Sequence, residues 1–233
     1  MADELGKFDL DELDRARRLR AWMFEQYEAR ARGRTVEIGP GLGAFSERLL
    51  ANGVTRLHLV EPDAAFARVL ERRFGGDPKV TLAREGLPEA PSLRNRGGNW
   101  DFILCQNVLE HVEDDRAAVE TMAAALRVGG GLTLVVPAGP RLYGSLDRSY
   151  GHHRRYTAAR VRGLIDGAGL ELVSLHAFNL LGVVGWWAKS LAGASSLGSR
   201  SLRAYELMLP LWRPIERRLA PPHGLSLIAH ARR

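Results

Sequence analysis

"VEIGPGLGAFSERLL", residues 36–50, decides the fold. A short β-rich run enters a turn with glycines at 39, 41 and 43, and an amphipathic segment leaves it. Strand, glycine turn and helix together open a parallel α/β unit. In such a turn the main chain can approach a ligand, because no Cβ stands in the way. The fingerprint for a dinucleotide pyrophosphate is G-x-G-x-x-G. Here the spacing is G-x-G-x-G, with Phe45 and Ser46 in the region of that fingerprint's third glycine. The loop therefore reads against a nicotinamide cofactor.

Outward from the loop, strand signals alternate with helical ones. "RTVEIG" (34–39), "RLHLVE" (56–61), "KVTLARE" (79–85), "WDFILCQ" (100–106) and "GLTLVVP" (131–137) are separated mostly by segments such as "AFSERLLANG" and "AAVETMAAALRVGG". That alternation predicts a parallel sheet with helices on both faces. "ELVSLHA" (171–177) and "LSLIAHA" (225–231) add two strands around a long insertion. The segment from Asp9 to Ala31 reads as a helix laid over the sheet's edge or its ligand. The economical organisation is one domain, 1–233: an N-terminal helical cap (1–33), a ligand-binding core (34–137), a lid loop (138–157) and an inserted helical cap (178–222).

Composition narrows the classes. With 233 residues, 45% apolar and 26% charged, the chain is an ordinary globular mixture. Its opening, acidic and then basic, lacks the apolar stretch of a signal peptide. Cys105 is the single cysteine, which excludes an internal disulfide and argues for a cytoplasmic setting. No cysteine or histidine cluster has structural-zinc spacing, so no metal is expected. Residues 1–140 carry 19 Lys+Arg against 22 Asp+Glu, and residues 141–233 carry 14 against 5. A C-terminal part at +9 fits nucleic acid, an anionic membrane surface or an anionic substrate, or simply solvated arginine-rich helices.

Two acids frame the glycine loop. Glu37 precedes it, and Glu61 ends the second strand 22 residues after Gly39, the position for gripping both ribose hydroxyls. Negative charge beside the ligand path suits a sulfonium and amino acid better than a phosphate. The plainer readings are that Glu37 caps the helix and Glu61 pairs with an arginine.

With these residues in place, the chain resembles the class I S-adenosylmethionine-dependent methyltransferases. "VEIGPGLG" looks like their first motif, "LVEPD" their second, "WDFILCQNVLEHVEDD" their fourth, and "LRVGGGLTLVVPA" the turn into strand five. The resemblance implies a Rossmann-like sheet of seven strands, mostly parallel with the last antiparallel, and S-adenosylmethionine as cofactor. It implies that Gly39, Gly41 and Gly43 line the methionine end, and Glu37, placed just before the loop, joins the candidate cofactor contacts by its position, to meet a cation or organise the loop's amides. Glu61 with Pro62 would hold the ribose, Glu85 and Gly86 of "AREGL" would stand at the adenine, and Asn107 and Val108 would lie beside the sulfonium. His111 reads either as a base or, with Glu110, as a cap that orients the loop.

The stretch "AGPRLYGSLDRSYGHHRRYT" leaves strand five where the methyl acceptor would lie. Thr157 offers an N-cap for the next helix, so the loop is held at both ends. The stretch resembles a bacterial and archaeal methyltransferase subgroup with an "LYGSLD…GHxRRY" lid, matched at Tyr143, Asp147, His152, Arg154, Arg155 and Tyr156. His153 departs from the pattern, which points to it as the residue tuned to this chain's acceptor. Arg154 and Arg155 read most simply as structural, pairing with Asp147 and nearby acids to pin the lid, with an anion site as the alternative. His152 or His153 is the candidate proton acceptor, since histidine changes charge near neutral pH, and Tyr143 could share the role.

"FNLLGVVGWWAKSLAGASSLG" (178–198) is apolar but too interrupted to span a membrane. Trp22, Tyr156, Phe178, Asn179, Trp186 and Trp187 are the candidate acceptor contacts. Core packing and a dimer face are the rival readings for the two tryptophans. "SLRAYELMLPLWRPIERRL" is a basic amphipathic helix, which leaves a membrane-surface contact open. The expectation is a metal-independent cytoplasmic enzyme, monomer or homodimer, methylating a small aromatic or hydrophobic acceptor. A sugar or lipid-linked glycan is the alternative acceptor. A non-catalytic nucleic-acid module is the rival of another class, disfavoured because no compact lysine stripe supports it.

Overall fold

The computed structural model describes residues 16–94 and 99–233. Part of the expected N-terminal cap lies outside the described residues. The part within them forms α1 (Arg17–Glu25), followed by turns rather than by a helix continuing to Ala31. The core then alternates: β1 (Arg34–Ile38), α2 (Ala44–Ala51), β2 (Arg56–Val60), α3 (Ala64–Phe74), β3 (Val80–Ala83), α4 (Pro91–Arg94), β4 (Trp100–Gln106), α5 (Asp115–Ala125) and β5 (Leu126–Pro137). The second part holds α6 (Ser145–Ser149), α7 (Ala158–Gly167), β6 (Glu171–Phe178), α8 (Leu180–Leu191), α9 (Ser199–Leu219) and β7 (Ser226–Arg232).

The seven strands form one sheet in the order β3-β2-β1-β4-β5-β7-β6. β1 to β5 pair in parallel, while β7 runs antiparallel to both β5 and β6. β5 starts at Leu126, earlier than the expected Gly131, with a register shift opposite Trp100 and Phe102. Leu126 pairs with Trp100, and the irregular stretch that follows is held at the chain's end, where Gly129 N–H donates to the Arg233 carbonyl and Arg233 N–H to that of Gly130.

Alternation along the strands fills both faces. Val36, Ile103 and Cys105 point to a core with Val119 and Met122 of α5 and Val161 and Ile165 of α7. Leu57, Leu59 and Leu104 point to the other core, with Leu49, Leu70 and Leu209 of α2, α3 and α9. Each fully buried Leu or Val contributes on the order of 1.5–3 kcal/mol, so a slip that turned a strand over would cost more than any loop contact could offset. Helix starts are fixed locally: Asp63, Asp114 and Thr157 accept backbone N–H groups at α3, α5 and α7. Among the described residues no helix is long and apolar enough to cross a membrane.

Candidate active site

The strand order reverses between β1 and β4, and ligands of open α/β sheets bind beyond the carboxyl ends at such a point. The glycine loop follows β1 there, and Asn107 and Val108 follow β4. The two segments touch: a Cβ on Gly39 would lie 2.3 Å from Val108 Cγ2. Gly41 differs, since a Cβ there would meet nothing within 4 Å, although its φ is +56°. The loop therefore leaves open space at Gly41 and packs tightly at Gly39. At Gly43 a Cβ would strike Phe74 and Leu70 of α3, so that glycine lets loop and helix close together. Asn107 is exposed at φ +52°, a left-handed conformation that asparagine tolerates better than most residues.

Glu61 is buried, and its carboxylate accepts the Gly41 N–H (3.0 Å) and the Asp63 N–H (2.9 Å). It thus ties the end of β2 to the middle of the glycine loop rather than pairing with an arginine. Burial raises its pKa against the lowering by those two amides. Glu37 sits beneath the loop, accepting the Ser46 hydroxyl at 2.5 Å, and does not cap α2. Burial pushes its pKa up to about 7, with the Ser46 hydrogen bond pulling down and the Glu61 charge pushing up. A cationic ligand fits this pair, because it would supply the positive charge both acids lack. Glu85 accepts the Ser92 N–H (2.9 Å) at the start of α4, and Gly86 lies against the Pro62 ring, so the second and third strand ends form one wall.

The lid is organised by one carboxylate. Asp147 is fully buried, and its Oδ1 accepts from Arg155 Nε (2.7 Å) and pairs with His152 Nδ1 (2.9 Å). Its Oδ2 accepts from Gly144 N–H (3.0 Å) and Trp186 Nε1 (3.3 Å). Burial alone would raise its pKa, but the His152 hydrogen bond, the Arg155 charge and the Gly144 amide hold it below the usual value. An ionised carboxylate only accepts, so the proton of a neutral His152 sits on Nδ1 and its Nε2 carries the lone pair. Arg155 also reaches the Ala138 carbonyl and stacks on Trp186, its Cζ 4.5 Å from the ring centroid. Arg154 does not join Asp147. It donates to the Val112 and Glu113 carbonyls and pairs with Asp115 at 3.3 Å.

Beneath the lid, His152 Nε2 lies 4.0 Å from Glu110 Oε1, and the His152 and His111 rings meet edge-on at 4.8 Å. Burial pushes Glu110 up to about 8, and its Oε2 is buried without a hydrogen-bond partner. Burial, then the neighbouring His152, lowers His111 to about 4, so its ring is neutral. Donor atoms of Glu110, His111 and His152 all lie within 4.8 Å of one another, a grouping that could hold a metal ion. Spacing along the chain hides this cluster, because His111 stands 41 positions before His152, and only the lid's return over β4 brings the residues together. His153 is exposed, and its N–H donates to the Glu110 carbonyl. Tyr143 donates its hydroxyl to the His152 carbonyl (2.7 Å), where it braces the lid.

Several expected acceptor contacts carry structural duties. Tyr156 is fully buried and donates to the Leu109 carbonyl (3.0 Å), which stitches the lid's end to the β4 turn. Asn179 is buried as the N-cap of α8, where its side chain accepts from Gly182 N–H and the Tyr205 hydroxyl. Trp186 is spent on Asp147 and Arg155, whereas Trp187 is 54% exposed. Trp22 and Phe178 pack together with ring centroids at 4.4 Å. Both border an open groove of about 1080 Å³ that His176, Pro214 and Arg217 also line, away from the glycine loop. Glu216, not among the residues expected from the sequence, accepts the Asn179 and Leu180 N–H groups and so fixes α9 to the end of β6. Nothing in its local pattern marks it.

The family model for a methyltransferase domain matches residues 11–175. Two curated relatives are the ribosomal RNA small subunit methyltransferase A of Synechococcus sp. (strain CC9902), 41% identical over 63 residues, and the ubiquinone biosynthesis O-methyltransferase of Bordetella avium (strain 197N), 29% identical over 99 residues. Those stretches cover 27% and 42% of this chain, and only 23% and 39% of the relatives' own lengths. Among solved structures, a SAM-dependent methyltransferase from Archaeoglobus fulgidus is similar in fold at a TM-score of 0.61 and 12% identity, covering 94% of each chain. Geranyl diphosphate methyltransferase in complex with SAM gives 0.61 at 16% identity, covering 86% of this chain and 78% of that one. With the switch-point crevice, the open cradle at Gly41 and a family match across most of the chain, this protein belongs to the S-adenosylmethionine-dependent methyltransferases.

Proposed function

We propose that the chain transfers a methyl group to a small aromatic or otherwise hydrophobic acceptor seated under the 138–157 loop. The observation that carries the reading is the His152–Asp147 pair, set beyond the carboxyl ends of β4 and β5, which leaves Nε2 facing Glu110 at 4.0 Å rather than bonded to Asp147. Bound S-adenosylmethionine supplies an electrophilic methyl group. Glu37, Gly39, Gly41, Gly43, Glu61 and Pro62 would hold its amino acid and ribose. Glu85 and Gly86 would face the adenine, and Asn107 and Val108 the sulfonium. Most of the rate then comes from holding donor and acceptor in line. His152 takes the acceptor's proton at Nε2, while the Asp147 carboxylate stabilises the imidazolium. A phenol-type acceptor is supported by the ubiquinone-pathway relative, which is named as an O-methyltransferase. An RNA acceptor draws only on relatives matched over about a quarter of their length.

A second reading rests on the Glu110–His111–His152 cluster: a divalent cation held there would activate the acceptor hydroxyl in place of a free base. Mass-spectrometric screening of phenols, indoles and lipid-linked sugars for methyl gain, with and without EDTA, tests both. Turnover that survives EDTA and falls in His152→Ala supports the base, and turnover restored only by added metal supports the cation. Methyl gain on RNA alone overturns the small-molecule reading.

A further inference from the structure

Among the described residues, eleven large apolar side chains are exposed, and eight of them lie on α8 and α9. On α8 they are Val184, Trp187 and Leu191, spaced i, i+3, i+7. On α9, Leu207, Leu211 and Ile215 follow at i, i+4, i+8. Such spacings put each set on one face of its helix. The opposite face of α9 buries Leu202 and Leu209 in the fold. So α9 carries apolar residues on two faces, one in the core and one outward.

Charge decides what covers that outer face. Arg200, Arg203, Arg217 and Arg218 lie on α9, and among the described residues none of the four makes a hydrogen bond or ion pair through its side chain. The two acids of α9 are both turned inward. Glu206 accepts the Arg18 and Leu19 N–H groups, and Glu216 accepts those of Asn179 and Leu180. A second copy of this chain on the same face would therefore bring arginines against an apolar patch that offers no acid in return. An anionic bilayer surface offers both things the face lacks, acyl chains for the apolar stripe and phosphates for the arginines. No described helix is long and apolar enough to cross the bilayer, so the contact lies in the interface plane.

We propose that the outer face of α8 and α9 seats this enzyme on an anionic lipid surface. The seat adjoins the groove beside Trp22 and Phe178, since Pro214 and Arg217 of α9 belong to that groove's wall. The proposal does not depend on which acceptor is methylated.

Co-sedimentation with vesicles tests it. The protein should partition onto phosphatidylcholine vesicles containing about one third phosphatidylglycerol at least roughly tenfold better than onto phosphatidylcholine alone, because each surface arginine adds to the attraction. The double variant Leu207→Glu/Leu211→Glu should lose that binding about tenfold or more, with its melting temperature and S-adenosylmethionine affinity unchanged because both positions are exposed. Arg217→Glu/Arg218→Glu should weaken binding to the anionic vesicles alone. The proposal is overturned if the native protein ignores both vesicles. It is equally overturned if the protein elutes as a dimer that the leucine double variant splits, or if it binds RNA in preference to vesicles.

Discussion

The glycine loop and the lid both surround a buried carboxylate, and they use it in opposite ways. Glu61 is served by two backbone amides and, among the described residues, by no cation, and burial raises its pKa, helped by the charge of Asp63. Asp147 has an arginine, a histidine, a tryptophan and an amide, so its lowered pKa records a demand fully met. A carboxylate held only by backbone amides is left with acceptor capacity for a ligand, whereas a carboxylate saturated by its own chain is a fastener. The fastener nonetheless fixes one group of chemical interest, the His152 ring.

The contrast is most exposed to failure at Asp147. Asp147→Ala should destabilise the protein by about 3–5 kcal/mol, because Arg155 is left buried without its counter-charge. Urea denaturation measures this, and a loss under ~1 kcal/mol would mean that the lid is not fastened there. Next in size, His152→Ala should lower turnover roughly 10²-fold while leaving cofactor affinity within about threefold, the usual scale for a lost base. If affinity and turnover fall together, lid and cofactor loop are not separable. Glu61→Ala should then cost about 1–3 kcal/mol of S-adenosylmethionine binding by calorimetry, with little change in thermal stability. Unchanged affinity would remove Glu61 from the binding groups.

The smallest effect expected is a pH gradient. Glu37 keeps its proton up to about pH 7 in the folded protein, against a value of 4.5 for the ordinary side chain. The folded state therefore holds more protons than the unfolded chain between those values. Its contribution is complete below pH 4.5 and declines as pH rises through 7. Melting temperatures across that window should fall for the native protein and flatten in Glu37→Gln. An equal slope in both would place the titration elsewhere.

How legible each half was in the sequence follows the same division. The glycine loop, Glu37 and Glu61 sit within one βαβ unit, where local spacing fixes geometry, and all seven strands were readable from apolar alternation. The lid depends on contacts between distant parts of the chain. Asp147 and Arg155 were readable as a pair, but the partner of Arg154 is Asp115, across the α5 start. That Trp186 is buried and Trp187 exposed follows from the angle of α8 against the lid, which a run of two tryptophans does not encode. Glu110 read as a cap, and only its burial beside His152 gives it chemical weight.

The Trp186–Asp147–Arg155 stack has a practical consequence for exchanging parts between relatives. Asp147 and Arg155 are in the lid, but Trp186 arrives from α8, beyond β6. A chimera that imports a foreign lid alone would leave Trp186 facing a stranger, and one that imports a foreign cap alone would strip Arg155 of its aromatic cover. Lid and cap should therefore transplant as a matched set or fail separately. Acceptor range in engineered hybrids of this fold should track the origin of that set rather than the origin of the sheet.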